Sequence, residues 1–274
     1  PLSSIALSWP DFIRIVRPPK AVLPEVRAAT IILPDSASGQ PGSVTGSRRR
    51  QPLSVPSAIA IDGPVAAGKT AVGGLVARRL GYRFLDTGSM YRAVTRVALD
   101  RGVDLDDAPV LTALARRLRL RLESVDGEGR LTADGRDVTD ELRTSEVERG
   151  VSLVARVSGV RHALVAQQRQ IASDGPIVMA GRDIGTVVLP DAAVKVYLTA
   201  SAEVRAQRRH ADMVAQGATS DQAHVLEELA RRDKIDSERS DSPLRPAEDA
   251  ILIDTDDLGI EQLTDRIVDL IQRD

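Results

Sequence analysis

The residues most specific for chemistry form one short run: Gly63, Pro64, Val65, Ala66, Ala67, Gly68, Lys69 and Thr70 spell G-x-x-x-x-G-K-T, with Ala71 following. Glycine at both ends lets successive backbone N–H groups turn inward around phosphate oxygens, and a helix starting at the second glycine adds the positive end of its dipole. In such a loop Lys69 reaches the β and γ phosphates and the Thr70 hydroxyl ligates Mg²⁺, so the expected ligand is a nucleoside triphosphate, ATP above all, with magnesium. The chain has only four lysines, at 20, 69, 195 and 234, so a surface-solubility role for Lys69 is a poor explanation.

A phosphate loop is shared by switches, motors, transporters and kinases, and other residues must decide among them. Phe84 to Arg92 reads FLDTGSMYR, a carboxylate, hydroxyls and an arginine where open α/β sheets bind ligands; its plain structural alternative is a helix cap with a packed aromatic. Ala180 to Val188 reads AGRDIGTVV, in which Arg182 and Asp183 suit an anion beside a hydrogen-bonding ring, or else form a structural ion pair. Arg205, Arg208 and Arg209 share one side of a predicted helix, and Arg232, Asp236 and Arg239 recur at helical spacing on another. The polar stretch Gln216 to Asp221 between them suits a flap. Phosphoryl transfer needs positive charge on several sides and water kept out, which these clusters fit.

The elements that must hold these residues are short and alternating. Ala58–Ile61, Arg83–Leu85, Ile177–Ala180, Val194–Leu198 and Ala250–Ile253 read as buried strands. Lys69–Leu80 reads as a helix stopped by Gly81, and Ser145 with Glu148 as a capping box opening a helical region to about Ala172. Strand, helix, strand in repetition predicts an α/β fold, a parallel sheet flanked by helices. Alternation at Leu118, Leu120 and Leu122, a turn at 125–129 and a return over 130–138 predict a small antiparallel insert.

Composition narrows the function further. With 37 Lys+Arg against 39 Asp+Glu, no cysteine and three histidines among 274 residues, bulk nucleic-acid binding, disulfides and cysteine or histidine metal sites are not expected. The absence of asparagine excludes the base-reading Asn-Lys-x-Asp of GTPases and the protein-kinase catalytic loop. No run is long and apolar enough to span a membrane, so no membrane partner is expected; the lack of cysteine suits a reducing cytoplasm, and a monomer without a nucleic-acid partner is expected. Residues 1–57 hold 9 of the 15 prolines and 7 basic against 3 acidic residues, and are expected to form an extended or disordered tail.

In order and spacing, GPVAAGKT, FLDTGSMYR, Ser152 to Arg161, GRDIGTVVLPDA and RRDKIDSERSDSPL resemble the bacterial cytidylate kinases, over about residues 58–274. The resemblance implies ATP-dependent phosphorylation of CMP and dCMP. It implies a core (58–86 and 176–274), a monophosphate-binding part (87–175) carrying the insert at 118–140, and a lid at about 205–232. Thr87, Arg92, Ser152, Arg161, Arg182, Asp183, Arg232, Asp236 and Arg239 would contact the acceptor nucleotide, Arg182, Asp183 and Asp236 around its sugar and base. Lys69 with Arg205, Arg208 or Arg209 would neutralise the transferring phosphoryl. The family usually has Ser-Gly or Ala-Gly where Val65-Ala66 stands here. A kinase acting on UMP, AMP or GMP, and a non-enzymatic ATP-binding module, remain the alternatives; six aromatics in the chain disfavour a single-strand RNA platform.

Overall fold

Five short apolar runs become the strands of one parallel sheet: β1 (Ala58–Asp62), β2 (Arg83–Asp86), β6 (Ile177–Gly181), β7 (Val194–Thr199) and β8 (Ile251–Asp254), in the order β2-β6-β1-β7-β8. The computed structural model describes residues 57–273, apart from 126, 127, 216 and 218. The tail expected over residues 1–57 therefore lies, but for Ser57, outside the described residues. Successive side chains alternate between the sheet faces, as the pleat requires. Ala60, Ile177 and Met179 enter a core with Leu85, Met90, Val94 and Leu164, while Ile59, Ile61, Val178, Val196 and Leu198 enter one with Val72, Val76 and Ile267.

Helices α1 (Lys69–Leu80) and α8 (Ile260–Arg273) cover the second face. The first is covered by α2 (Thr87–Asp100), α3 (Ala108–Arg117), α4 (Ser145–Ala155) and α5 (Ser158–Ser173). Helix α1 ends on Gly81, whose φ of 69° suits glycine and whose N–H reaches the Ala77 and Arg78 carbonyls. The helical region opening at 145 differs from expectation in two ways. Its cap is Thr144, whose hydroxyl accepts from Val147 N, and the chain breaks at Arg156-Val157 into two helices. The break lets α5 press on α3 so closely that a Cβ on Gly159 would lie 2.2 Å from Thr112 Oγ1.

The insert is three-stranded rather than a simple hairpin: β3 (Leu120–Val125), β4 (Glu128–Ala133) and β5 (Arg136–Asp137) pair antiparallel. Asp134 and Gly135, both at positive φ, split the expected return strand in two. Helices α6 (Ala202–Ala215) and α7 (Gln222–Glu238) pack on each other through Ala206, Val225 and Leu229. The flap expected between them falls at 216–221, where 216 and 218 are outside the described residues. Among the described residues no helix is long and apolar enough to cross a membrane.

Candidate active site

Parallel pairing puts the C-terminal ends of β1, β2 and β6 side by side, so Asp62, Asp86 and Gly181 lie along one edge, and the loops leaving them build the site. After Asp62 the chain turns through Gly63, where any Cβ would lie 2.3 Å from the Leu198 carbonyl oxygen at a φ of 148°; only glycine fits. Ala66 has a φ of 60°, the left-handed region glycine occupies readily, at the position where Val65-Ala66 departs from the usual family pair. Gly68, at a φ of 92°, starts α1 without a side-chain cap, leaving its first-turn N–H groups to face the loop. Lys69 Nζ donates to the Pro64 carbonyl at 2.6 Å across that loop, and burial together with Arg182 pulls its ammonium well below its ordinary pKa. Thr70 Oγ1 donates to Asp86 Oδ2 at 3.1 Å.

Asp86 also caps α2, accepting from Gly88 N at 3.0 Å, and Thr87 donates its hydroxyl to the Ala180 carbonyl at 3.0 Å. The cap and the ligand-facing position thus coexist in one segment. From β6 the chain delivers Arg182 and Asp183, and both enter ion pairs: Arg182 Nε with Asp236 at 3.0 Å, Asp183 with Arg161 at 2.6 Å. Arg239 joins Asp236 at 3.2 Å. Burial works against the ionised Asp236, yet Arg182, Arg239 and Arg232 hold its carboxyl below the ordinary range. The Arg161 guanidinium lies 5.4 Å from the centre of the Tyr91 ring, whose hydroxyl burial pushes up to about 12.

One pocket collects Lys69, Thr70, Thr87, Arg92, Arg161, Arg182, Asp183, Arg232, Asp236 and Arg239, with Val65 and Ala66 at its phosphate-loop end. Its positive charge exceeds its partners. Arg232 makes no hydrogen bond or contact ion pair with a described residue, and burial, then Arg182 and Arg92, pull it down to about 10. Arg161 Nε and Arg239 Nη2 are buried without an acceptor among the described residues. Unmatched buried donors around a phosphate loop suit an anion. A larger hollow, lined by Leu105, Pro109 and Val157 with Asp106, Arg116, Arg156 and Arg239, includes no residue of the phosphate loop.

Four of the sequence-predicted residues stand elsewhere. Ser152 is on α4 beside Val151, which lines the pocket, but does not itself line it. Arg205 is buried behind the phosphate loop, donating to the Val65 carbonyl at 3.3 Å and pairing with Asp233 at 2.7 Å. Arg208 reaches the Thr255 carbonyl and hydroxyl at 2.5 and 3.0 Å, and Arg209 pairs with Glu148 at 3.1 Å. Helical spacing put these three on one side, but their long side chains diverge to three neighbours. Sequence reasoning missed two acids. Asp62, the lone charge closing an apolar strand, is 4% exposed, accepts from Ile184 N and Gly185 N at 2.8 Å each, and is pushed up to about 6 by burial. Glu148, read as half of a capping box, instead accepts from Arg92 and Arg209.

A parallel sheet whose first strand feeds a phosphate loop, with an arginine-rich pocket at the same edge, defines a P-loop kinase. The cytidylate kinase family model matches residues 59–273, and the chain belongs to that family. It is 51% identical over 213 residues to a cytidylate kinase of Geobacillus sp. (strain WCH70), covering 78% of this chain and 95% of that one. Against a cytidylate kinase of Exiguobacterium sibiricum the identity is 50% over 214 residues, with 78% and 96% covered. A bifunctional pantoate ligase/cytidylate kinase of Synechococcus sp. (strain JA-3-3Ab) is 51% identical over 229 residues, 82% of this chain and 42% of that protein.

Proposed function

We propose that the protein transfers the γ-phosphoryl group of ATP to CMP and dCMP, giving CDP and dCDP, as an enzyme of pyrimidine nucleotide metabolism in the cytoplasm. The observation that carries this reading is the pocket that Arg92, Arg182 and Arg232 line together with Val65, Ala66, Lys69 and Thr70 of the phosphate loop. The acceptor phosphate is already an anion, so its attack on the γ phosphorus needs no strong general base; the enzyme must position two repelling anions and offset their charge.

Lys69, swinging from the Pro64 carbonyl, would lie along the β and γ phosphates, and the incoming anion would restore the full charge that burial disfavours. Arg92 and Arg232 would hold the acceptor phosphate, and Arg182, Asp183 and Asp236 the sugar and base. Residues 87–175 would serve as the monophosphate-binding part and α6 with α7 as the lid. The Thr70 hydroxyl beside the Asp86 carboxylate is an oxygen donor set that fits Mg²⁺. Nucleotide phosphates would supply most of the remaining ligands of such an ion. When bound, Mg²⁺ would neutralise phosphate charge.

The test is ADP formation from Mg-ATP with CMP, dCMP, UMP, AMP and GMP offered separately, beside a no-acceptor blank and a Lys69→Ala control. Turnover with CMP and dCMP well above the rest is the expected result. Equal turnover with another monophosphate would overturn the acceptor assignment, and none above the blank would overturn the kinase reading.

A further inference from the structure

Glu148 joins three elements through one carboxylate. It stands on α4; its Oε1 accepts from Arg92 Nε of α2 at 2.7 Å and its Oε2 from Arg209 Nη2 of α6 at 3.1 Å. The three side chains are 17 to 29% exposed, so the pairs are partly shielded from water. Burial works against the ionised Glu148, but Arg92 and then Arg209 hold its carboxyl below the usual range, so it is a fixed anion at neutral pH.

The choice of nitrogen on Arg92 matters. Giving up Nε leaves both terminal nitrogens of the planar fork for a ligand, and Arg92 lines the pocket with Arg182 and with Arg232, whose charge it opposes. Asp86 attracts Arg92 as well, but the hydrogen bond that fixes the fork from its Nε side comes from Glu148. The second link is to α6. Among the described residues, the buried apolar cluster it joins is made with α7 and the phosphate loop, through Ala206, Val225, Leu229, Met213, Leu226 and Val65; none of these belongs to α2 or α4. Contact with α4 is instead ionic, Arg209 on Glu148, with Asp212 one turn on facing Arg209 and Arg143.

We infer that Glu148 is a positioning residue that aims Arg92 at the acceptor phosphate and ties that site to α6 through Arg209, so that one carboxylate couples the acceptor pocket to the lid. This rests on the kinase reading above, with Arg92 on the acceptor phosphate.

Steady-state kinetics of wild type, Glu148→Gln, Glu148→Asp, Arg209→Ala and the Gln/Ala double variant would test it. Glu148→Gln is expected to raise KM for CMP about tenfold, the effect of one charge-assisted contact, with KM for ATP within about twofold. Glu148→Asp should recover part of the loss, and the double variant should cost less than the two single changes summed. An unchanged or lowered KM for CMP in Glu148→Gln would overturn the inference, as would equal shifts in both KM values. Wild-type inactivity toward CMP would sink the kinase reading instead, and Glu148 is then judged by inorganic phosphate: thermal stabilisation by phosphate should shrink in Glu148→Gln. Equal stabilisation of both proteins would overturn the inference.

Discussion

At the scale of single residues the proposed roles separate binding from chemistry. Lys69 sits on the phosphate loop and Arg182 across the pocket beside Asp236, so their loss should read out differently. Lys69→Ala is expected to lower kcat by about 10²–10³ with KM for CMP changed only a few-fold, because it removes charge where the transition state develops it. Arg182→Ala is expected to raise KM for CMP by about 10- to 100-fold, the cost of a charge-assisted contact to ligand, with a smaller change in kcat. The reverse pattern in steady-state kinetics would refute these roles. Ala66 offers a test of a different kind. Its φ of 60° costs a non-glycine residue roughly 1–2 kcal/mol, partly offset by glycine's greater freedom in the unfolded chain. Ala66→Gly should therefore stabilise the fold by up to about 1 kcal/mol in denaturant unfolding. A clear loss of stability would mean that the Ala66 methyl contributes packing exceeding the relief of strain.

At the scale of elements, one buried acid ties the phosphate loop's strand to the loop that follows β6. Asp62 accepts two backbone N–H groups from the turn at Ile184-Gly185, and an amide in its place could accept with only one of its two polar atoms. Asp62→Asn should cost about 1–3 kcal/mol through the donor left unpaired. Its folded pKa of about 6 lies above its ordinary 3.8, so between these values the native state holds more proton than the unfolded one, and wild-type stability falls as pH rises. Asn does not titrate, so the deficit of Asp62→Asn should be largest near pH 4 and narrow toward pH 7; urea unfolding at several pH values would show a flat difference if the assignment is wrong. The strands and α1 were legible because apolar runs, glycine stops and the phosphate-loop pattern are local signals. The break at Arg156-Val157 was not, since neither residue is a glycine or proline and the close packing of α5 on α3 at Gly159, which the break permits, is a contact across the fold. The third strand of the insert did leave a signal, the hairpin dipeptide Asp134-Gly135, that was passed over. Glu148 and the divergence of Arg205, Arg208 and Arg209 were out of reach, because helical spacing gives a face and not the partner a long side chain finds across the fold.

At the scale of the whole molecule the charge balance is local rather than global. The chain carries a formal net charge of −2, yet at one edge of the sheet it gathers Lys69, Arg92, Arg161, Arg182, Arg232 and Arg239 against Asp86, Asp183 and Asp236. Burial, and then the neighbouring arginines, pull Arg232 and Lys69 below their ordinary pKa values, so an anion that matches this charge is expected to stabilise the protein on binding. At a hundred times its Kd, a ligand specific for the folded state adds about 2.7 kcal/mol, and for a domain of this size each kcal/mol moves Tm by roughly 2–4 °C. CMP at that excess should therefore raise Tm by about 5–11 °C, and cytidine, which lacks the phosphate, by far less. The phosphate-dependent part of the shift should survive moderate salt better than a surface attraction would, because the receiving arginines are largely buried and screened little by mobile ions. Scanning calorimetry with CMP and with cytidine at low and moderate salt would decide the point. Equal shifts from both ligands would move recognition from the arginines to the base, and the unmatched charge in the pocket would then need a different ligand to account for it.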